Sequence, residues 1–371
     1  MKQKWAVIVL AFAIFGLGSC KKENPYEQYE DQINVCINDV PYKTEAFLRI
    51  PYTLEFWEYK NSGMLLQKIY AYDKESMTQL MEIDTSGFPR MYYHPLESNH
   101  IFTFDSISHY YMSLQLPILL AQTPPGTVIH RFEFKDTVNN ETVMLEGAEF
   151  EPRLTEPPLV IASPVKGTNH AFINQSTNGY HFNAMFFMDG GIYTSERFAF
   201  DELQVNDELT TYFDGDPKKN ESYFNYRDTL FAVADGTVVQ IEDGLPENNG
   251  DAQNITFTTS LEYAGNLLVL DIGSGHYAFY GHCVPNSFLV NVNDVVQEGD
   301  PIALIGNSGN STAPHLHFQI TDGPGLFKST GLPFVLEKYT KIGDITGFPV
   351  FITPQKVTNS MMEQFSVISF D

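Results

Sequence analysis

The chain reads as a succession of short segments in which apolar and polar residues alternate. Thr53-Leu54-Glu55-Phe56-Trp57-Glu58-Tyr59, Leu66-Gln67-Lys68-Ile69-Tyr70-Ala71-Tyr72 and His130-Arg131-Phe132-Glu133-Phe134-Lys135 all repeat with a period of two. That period puts one set of side chains on each face of a half-buried strand. Turn residues at Asn61-Ser62-Gly63, Pro124-Pro125-Gly126 and Asn139-Asn140 separate such segments, and the pattern predicts an immunoglobulin-like β-sandwich over residues 33–155. Glu151-Pro152 and Glu156-Pro157-Pro158 form a stiff boundary, because proline fixes its own backbone and restricts its neighbour. A second, mainly antiparallel β domain is expected over residues 156–371, with strands near 237–241, 267–272, 277–282 and 301–305. Helical patterns are scarce. Residues 232–239 and 295–303 each set an acidic residue beside a glycine between apolar segments, and they read as two halves of one barrel or sandwich motif.

The N-terminus follows a different pattern. Lys2 and Lys4 precede an apolar run over residues 5–18 that is short for a membrane span, and small residues lead to Cys20. This predicts a secretory signal over residues 1–19. Leu17-Gly18-Ser19-Cys20 resembles the bacterial lipobox, which implies cleavage before Cys20 and lipidation of its thiol. Residues 20–32 then read as a polar tether, placing the protein in the cell envelope, lipid-anchored on the periplasmic or external side of a membrane.

Charge narrows the partners. With 22 basic and 46 acidic residues the formal charge is −24. Removing residues 1–19 deletes two lysines and no acid, so the mature chain has 20 against 46, or −26. Such a chain cannot replace the counterions of a phosphate backbone, which argues against nucleic acid as a partner. It also leaves membrane attachment to the lipid rather than to basic residues. Past Cys20 only Cys36 and Cys283 remain, so no disulfide framework is expected. Cys283 reads as a small buried apolar side chain, and His94, His100, His109 and His130 stand in no metal-ligand spacing.

The candidate chemistry lies in Gly306-Asn307-Ser308-Gly309-Asn310-Ser311-Thr312-Ala313-Pro314-His315-Leu316-His317-Phe318. On a strand, His315 and His317 project to one side while Leu316 and Phe318 face the core. Phe279-Tyr280-Gly281-His282 ends another strand with a third imidazole, and Arg197-Phe198-Ala199-Phe200-Asp201 supplies a carboxylate. Asp271, Asp294 and Asp300 sit beside glycine or asparagine at strand ends and read as turn residues.

Together these segments resemble the lysostaphin-like, LytM-type zinc metallopeptidases that cut peptide crosslinks in bacterial cell walls, with their duplicated hybrid motif fold. The resemblance covers about residues 164–336. It implies zinc as cofactor, peptidoglycan peptides as substrate, Asp201 and His317 as metal ligands, and His282 and His315 as the catalytic pair. One position departs: where that family has its first ligand, four residues before the aspartate, this chain has Arg197, which stays protonated and cannot bind zinc. A branch of the family with a Gln/Glu-Arg-Phe/Tyr-Ala-x-Asp element preceded by Gly-Tyr-His is closer to this chain. Here those residues are Gly179-Tyr180-His181, and Asn220-Glu221-Ser222-Tyr223-Phe224 also fits that branch. His181 is therefore the expected third ligand, the alternative being a hydrogen-bonded histidine in a cleft wall. Arg197 either meets an anionic substrate, pairs with Asp201, or forms a structural ion pair. The expected activity is that of a zinc endopeptidase, and the competing reading is an inactive relative that binds cell wall or activates another wall hydrolase.

Overall fold

The computed structural model describes residues 33–57, 63–89, 91–92, 109–174, 179–253, 255, 259 and 261–370. The signal, tether and Cys20, together with His94 and His100, lie outside the described residues. Among the described residues there is no α-helix, and strands carry the fold.

The N-terminal region is built from two sheets. One has strands Ile33–Asn38, Phe47–Trp57, His109–Leu119 and Met91–Tyr92 in that spatial order, with Tyr42–Lys43 beside Phe47–Trp57. The other runs Gln79–Asp84, Met64–Asp73, Val128–Asp136 and Glu141–Phe150. In Val128–Asp136 every second residue is buried, as the alternation of its sequence requires. Ile50, Tyr52, Leu54 and Phe56 from one sheet share a core with Ile69, Phe132, Phe134 and Leu145 from the other, so the two sheets close face to face. His130 lies inside that core. Its Nδ1 hydrogen is accepted by the Ala148 carbonyl at 2.9 Å, and its Nε2 meets the Tyr52 hydroxyl at 2.9 Å.

The C-terminal region is dominated by one large sheet, mostly antiparallel, whose central strands run Gly167–Ile173, Phe200–Gln204, Leu316–Thr321, Tyr277–Cys283, Asn266–Asp271 and Gly236–Glu242. The two related stretches lie against each other, with Gly236 opposite Val296 and Thr237 opposite Val295. Phe172, Phe200, Tyr280, Phe318, Phe334 and Ile302 fill the core beneath this sheet. The turn assignments for three aspartates hold: Asp271 accepts from Gly273 N, Asp294 from Asn291 N and Asp300 from Gln297 N. Cys283 is fully buried, and both Cys36 and Cys283 are free.

The two regions are joined by more than the chain. Tyr42 of the sandwich is part of the C-terminal core. Arg49 binds Glu363 through both carboxylate oxygens at 2.8 and 2.6 Å. Glu45 accepts bonds from the Tyr339 hydroxyl, the Ser366 hydroxyl and the Glu363 backbone N–H.

Burial lowers the His130 imidazole to about 4 against the opposing bond to Ala148, while an unfolded histidine titrates near 6.5. Between those values the unfolded chain binds the proton and the folded chain does not. Its contribution is therefore complete above pH 6.5 and is lost as pH falls towards 4, amounting to about 3 kcal/mol. Urea unfolding at pH 7 and pH 4 should show this slope in the wild type and a shallower one in His130→Gln, which keeps a polar partner without the titration.

Candidate metal centre

The site is set by strand register. Asp201 lies opposite His317, Ile173 lies opposite Asp201, and Gly281 lies opposite His317. Four strands thus place Ile173, Asp201, His317 and Gly281 in one row, where facing residues have Cα atoms about 5 Å apart. Gly281 contributes no side chain and leaves room for the His317 ring; a Cβ there would lie 3.4 Å from the His317 Cβ. His315 immediately precedes the strand Leu316–Thr321 and comes to the same side as His317, with Leu316 and Phe318 in the core.

His282 reaches this face by a bulge. The pairing of Asn266–Asp271 with Tyr277–Cys283 shifts register between Asn266 and Leu268, and His282 itself has φ +63°. A left-handed non-glycine residue costs roughly 1–2 kcal/mol, and a bulge re-aims a side chain in this way. The strained residue is held by its backbone N–H to Ala264 O, and the Cys283 carbonyl beside it accepts from Ser308 Oγ and Asn266 Nδ2. Ser308 belongs to the Gly-Asn-Ser-Gly turn. Gly309 there has φ +74°, and a Cβ on it would fall 2.3 Å from Gly265 N, so this turn requires glycine. Asn307 Nδ2 donates to Asn220 Oδ1 at 2.9 Å, which ties the Asn220–Ser222 turn to the same loop.

Three ligand atoms converge. One from each of His181, Asp201 and His317 lie within 4.8 Å of one another, and all three residues are buried. Asp201 Oδ1 is 3.1 Å from His317 Nδ1, 3.7 Å from His181 Nε2 and 3.5 Å from His315 Nε2. The His282 and His315 rings stand 4.6 Å apart between centroids. Two imidazoles and a carboxylate are a donor set for zinc, whose bonds of 2.0–2.2 Å these separations admit with small adjustments.

The outer ring atoms fix which nitrogen faces the site. Carbonyls only accept, so His181 Nδ1, His282 Nδ1 and His315 Nδ1 carry the hydrogens given to Ala199 O at 3.4 Å, Ser308 O at 2.8 Å and Ala313 O at 2.8 Å. Each then turns Nε2 inward. His317 is reversed: its Nε2 donates to Gln319 Oε1 at 3.0 Å, so Nδ1 is the inward atom. Asp201 is pinned likewise, since Asn174 Nδ2 donates to Oδ2 at 2.6 Å and leaves Oδ1 for the cluster.

Charge follows from this packing. Burial works to raise the Asp201 carboxyl, but the charges of His181 and His315 and the bonds from His315 and His317 hold it well below the usual carboxylate range. Burial works to lower His317, but its bond to Asp201 and the carboxylate charge push it up to about 9. Burial lowers His181, and burial with the neighbouring His315 and His317 drives His282 well below its ordinary value. At neutral pH the His282 ring is a neutral acceptor.

Arg197 does not enter the site. It is fully buried and points to the sandwich, where its Nε lies 2.8 Å from Asp39 Oδ2 and its Nη1 donates to Thr53 Oγ1 at 2.6 Å and Ser113 Oγ at 3.2 Å. Neither a pairing with Asp201 nor a meeting with substrate is its role; it is the structural ion pair, and between regions. Gln319, Asn174 and Asp39 were not anticipated. Gln319 follows His317 by two on the same strand face, a spacing visible in sequence, whereas Asn174 and Asp39 carry no sequence signal.

The sheet thus presents one carboxylate and four imidazoles together, and His181, Asp201 and His317 among them could hold a metal ion. Residues 223–326 match the family model described as Peptidase family M23, a match that contains His282, His315 and His317 and begins after His181 and Asp201. These residues thus form a Peptidase M23 domain of the LytM type. It is 26% identical over 195 residues, 50% of this chain and 43% of the relative, to the peptidoglycan DD-endopeptidase ShyA of Vibrio cholerae. It is 31% identical over 96 residues, 26% of this chain and 20% of the relative, to the murein hydrolase activator EnvC of Escherichia coli. The chain thus spans less than half the length of these relatives. Among solved structures, the catalytic domain of lysostaphin from Staphylococcus simulans is 23% identical, covering 38% of this chain and 77% of that one, with a TM-score of 0.23.

Because Gln319 sets the His317 ring, Gln319→Leu should weaken zinc binding about ten- to a hundredfold, read by competition with a chelator, with the thermal transition of the sandwich unchanged.

Proposed function

We propose that the protein is a zinc-dependent endopeptidase that cleaves peptide bonds in peptidoglycan crosslinks, held at a bacterial membrane by a lipid on Cys20. The observation carrying this reading is the convergence of His181 Nε2, Asp201 Oδ1 and His317 Nδ1 beside the paired rings of His282 and His315. The substrate class rests on the similarity to a peptidoglycan endopeptidase. His181, Asp201 and His317 would hold the metal. Bound zinc supplies a Lewis acid that polarises the scissile carbonyl and brings the pKa of a water to about 7.

The chain's own residues do the rest. Neutral His282, with Nδ1–H anchored on Ser308 O, presents Nε2 as the base that takes the proton of the attacking water and returns it to the leaving amine. His315 Nε2 lies beside Asp201 Oδ1, placed as the partner of His282 to stabilise the oxyanion of the tetrahedral intermediate. Asn174 and Gln319 keep Asp201 and His317 from turning.

A second reading has support of its own. Arg197 stands where the first ligand is expected, and the chain is also similar to a murein hydrolase activator, which favours a non-catalytic role in promoting another wall hydrolase.

Elemental analysis of purified protein should find about one zinc per chain, and loss of zinc in His181→Ala. A zinc-free wild type would sink the enzyme reading. His315→Ala should keep the metal and lose about 10²–10⁴-fold in hydrolysis of purified wall fragments. Wild type that binds zinc, leaves wall fragments intact and stimulates a second hydrolase would establish the activator instead. Detergent-phase partitioning of the full chain should be abolished by Cys20→Ser.

A further inference from the structure

We infer that the N-terminal sandwich is a working part of the metal centre, and that Asp39 acts through Arg197 as a positioning residue for His181. The inference rests on the zinc reading above for its metal arm and on the structure alone for its histidine arm.

Among the described residues, the polar partners of the buried Arg197 guanidinium come from the sandwich: Asp39, Thr53 and Ser113, themselves buried. A guanidinium stays charged inside a protein only where charge and hydrogen-bond partners compensate it. The other side of the group is apolar and belongs to the site's own support. The guanidinium carbon lies 4.8 Å from the centre of the Phe182 ring and 5.9 Å from that of Phe198. Phe182 directly follows His181. Phe198 precedes Ala199, whose carbonyl accepts the His181 Nδ1 hydrogen.

The segment between is a pair of tight turns, with Arg197 N donating to Thr194 O and Ala199 N donating to Glu196 O. Asp201 follows two residues later on the strand Phe200–Gln204. The arginine is thus a post between two regions: its head is fixed in the sandwich, and its stem carries the turn that orients one proposed ligand and leads into another. The position that cannot bind metal holds the ring that can.

Another contact between the regions supplies the control. Arg49 and Glu363 also join sandwich to C-terminal region, and among the described residues their ion pair includes none of the five site side chains. Full-length Asp39→Asn should bind zinc at least tenfold more weakly by chelator competition. Its metal-free form should show a mixture of His181 ring tautomers in ¹⁵N NMR where the wild type shows one. Asp39→Glu should restore part of both. Arg49→Met should change neither.

Thr53→Val with Ser113→Ala, which removes only the two hydroxyl partners, should shift both readouts in the same direction by less, and it decides the matter if Asp39→Asn does not fold. A folded Asp39→Asn protein with wild-type zinc affinity and a single His181 tautomer overturns the inference, as does Arg49→Met producing the same losses. Wild type that takes no zinc overturns the metal reading only, since the tautomer arm still tests the link from Asp39 to His181.

Discussion

The register that sets Asp201 opposite His317 is the constraint on which the rest of the site depends. A slip by one residue in that pairing would turn one of the two side chains into the core and bring a Phe to the site face. The sheet resists such a slip from both sides. Phe200 and Phe318, which flank the pair in sequence, stack in the core with ring centroids 5.3 Å apart, and each is fully buried. The aromatic core therefore sets the polar site: a shift that misaligned the ligands would also expose two phenylalanines, each worth roughly 2–3 kcal/mol of burial.

Around this rigid pair the remaining groups are carried on elements of decreasing regularity. His315 sits one residue before its strand, His282 on a bulge with a left-handed backbone, and His181 outside any strand. Their precision comes from acceptors rather than from the sheet. Three carbonyls take the outward hydrogen of three imidazoles, and carbonyl oxygens belong to backbone already fixed by its own bonds. His181 is the exception in degree, because its acceptor bond is the longest of the three and its turn depends on a side chain, Arg197. The least regular ligand is thus the one whose support reaches the sandwich.

Much of this was legible in the chain. The period-two alternation of Val128–Asp136 became a strand buried at every second residue, and the His-x-His spacing put both rings on one side, His317 by the geometry of the strand Leu316–Thr321 and His315, one residue before it, with its bond to Ala313 O. The expectation that His181 takes the place of Arg197 came from the resemblance of Gly179-Tyr180-His181 and Arg197-Phe198-Ala199-Phe200-Asp201 to one branch of the family, and the structure brings that ring beside Asp201 and His317. What could not be read were contacts between residues far apart in sequence with no repeating pattern. Asp39 and Arg197 are separated by the whole sandwich, and Asn174 reaches Asp201 across 27 residues. A single polar residue in a loop looks the same in sequence whether it caps a turn or pins a ligand. The bulge at His282 was hidden for a related reason: Tyr-Gly-His reads as a strand end, and the extra residue appears only when the partner strand is counted.

The unequal treatment of the two Asp201 oxygens bears on how an acidic chain can run such a site. With a formal charge of −24 the protein supplies few cations, and the one arginine near the centre is turned away and neutralised by Asp39. Among the described residues, Asp201 is the carboxylate that touches the imidazoles, and the charge of the buried Glu196 also acts on His181 and His317. One of the Asp201 oxygens is occupied by an uncharged amide, Asn174, and the other faces the rings. Had Asn174 been an acid, the row would carry two negative charges and would attract protons onto His181 and His315 in competition with a metal. Neutral second partners, Asn174 for Asp201 and Gln319 for His317, add no further negative charge, so a divalent ion held by Asp201 and two imidazoles would be a net positive centre. On the proposed zinc reading, the positive charge that stabilises an oxyanion would arise at the reaction centre itself, where burial makes it strong, and the surface could remain acidic.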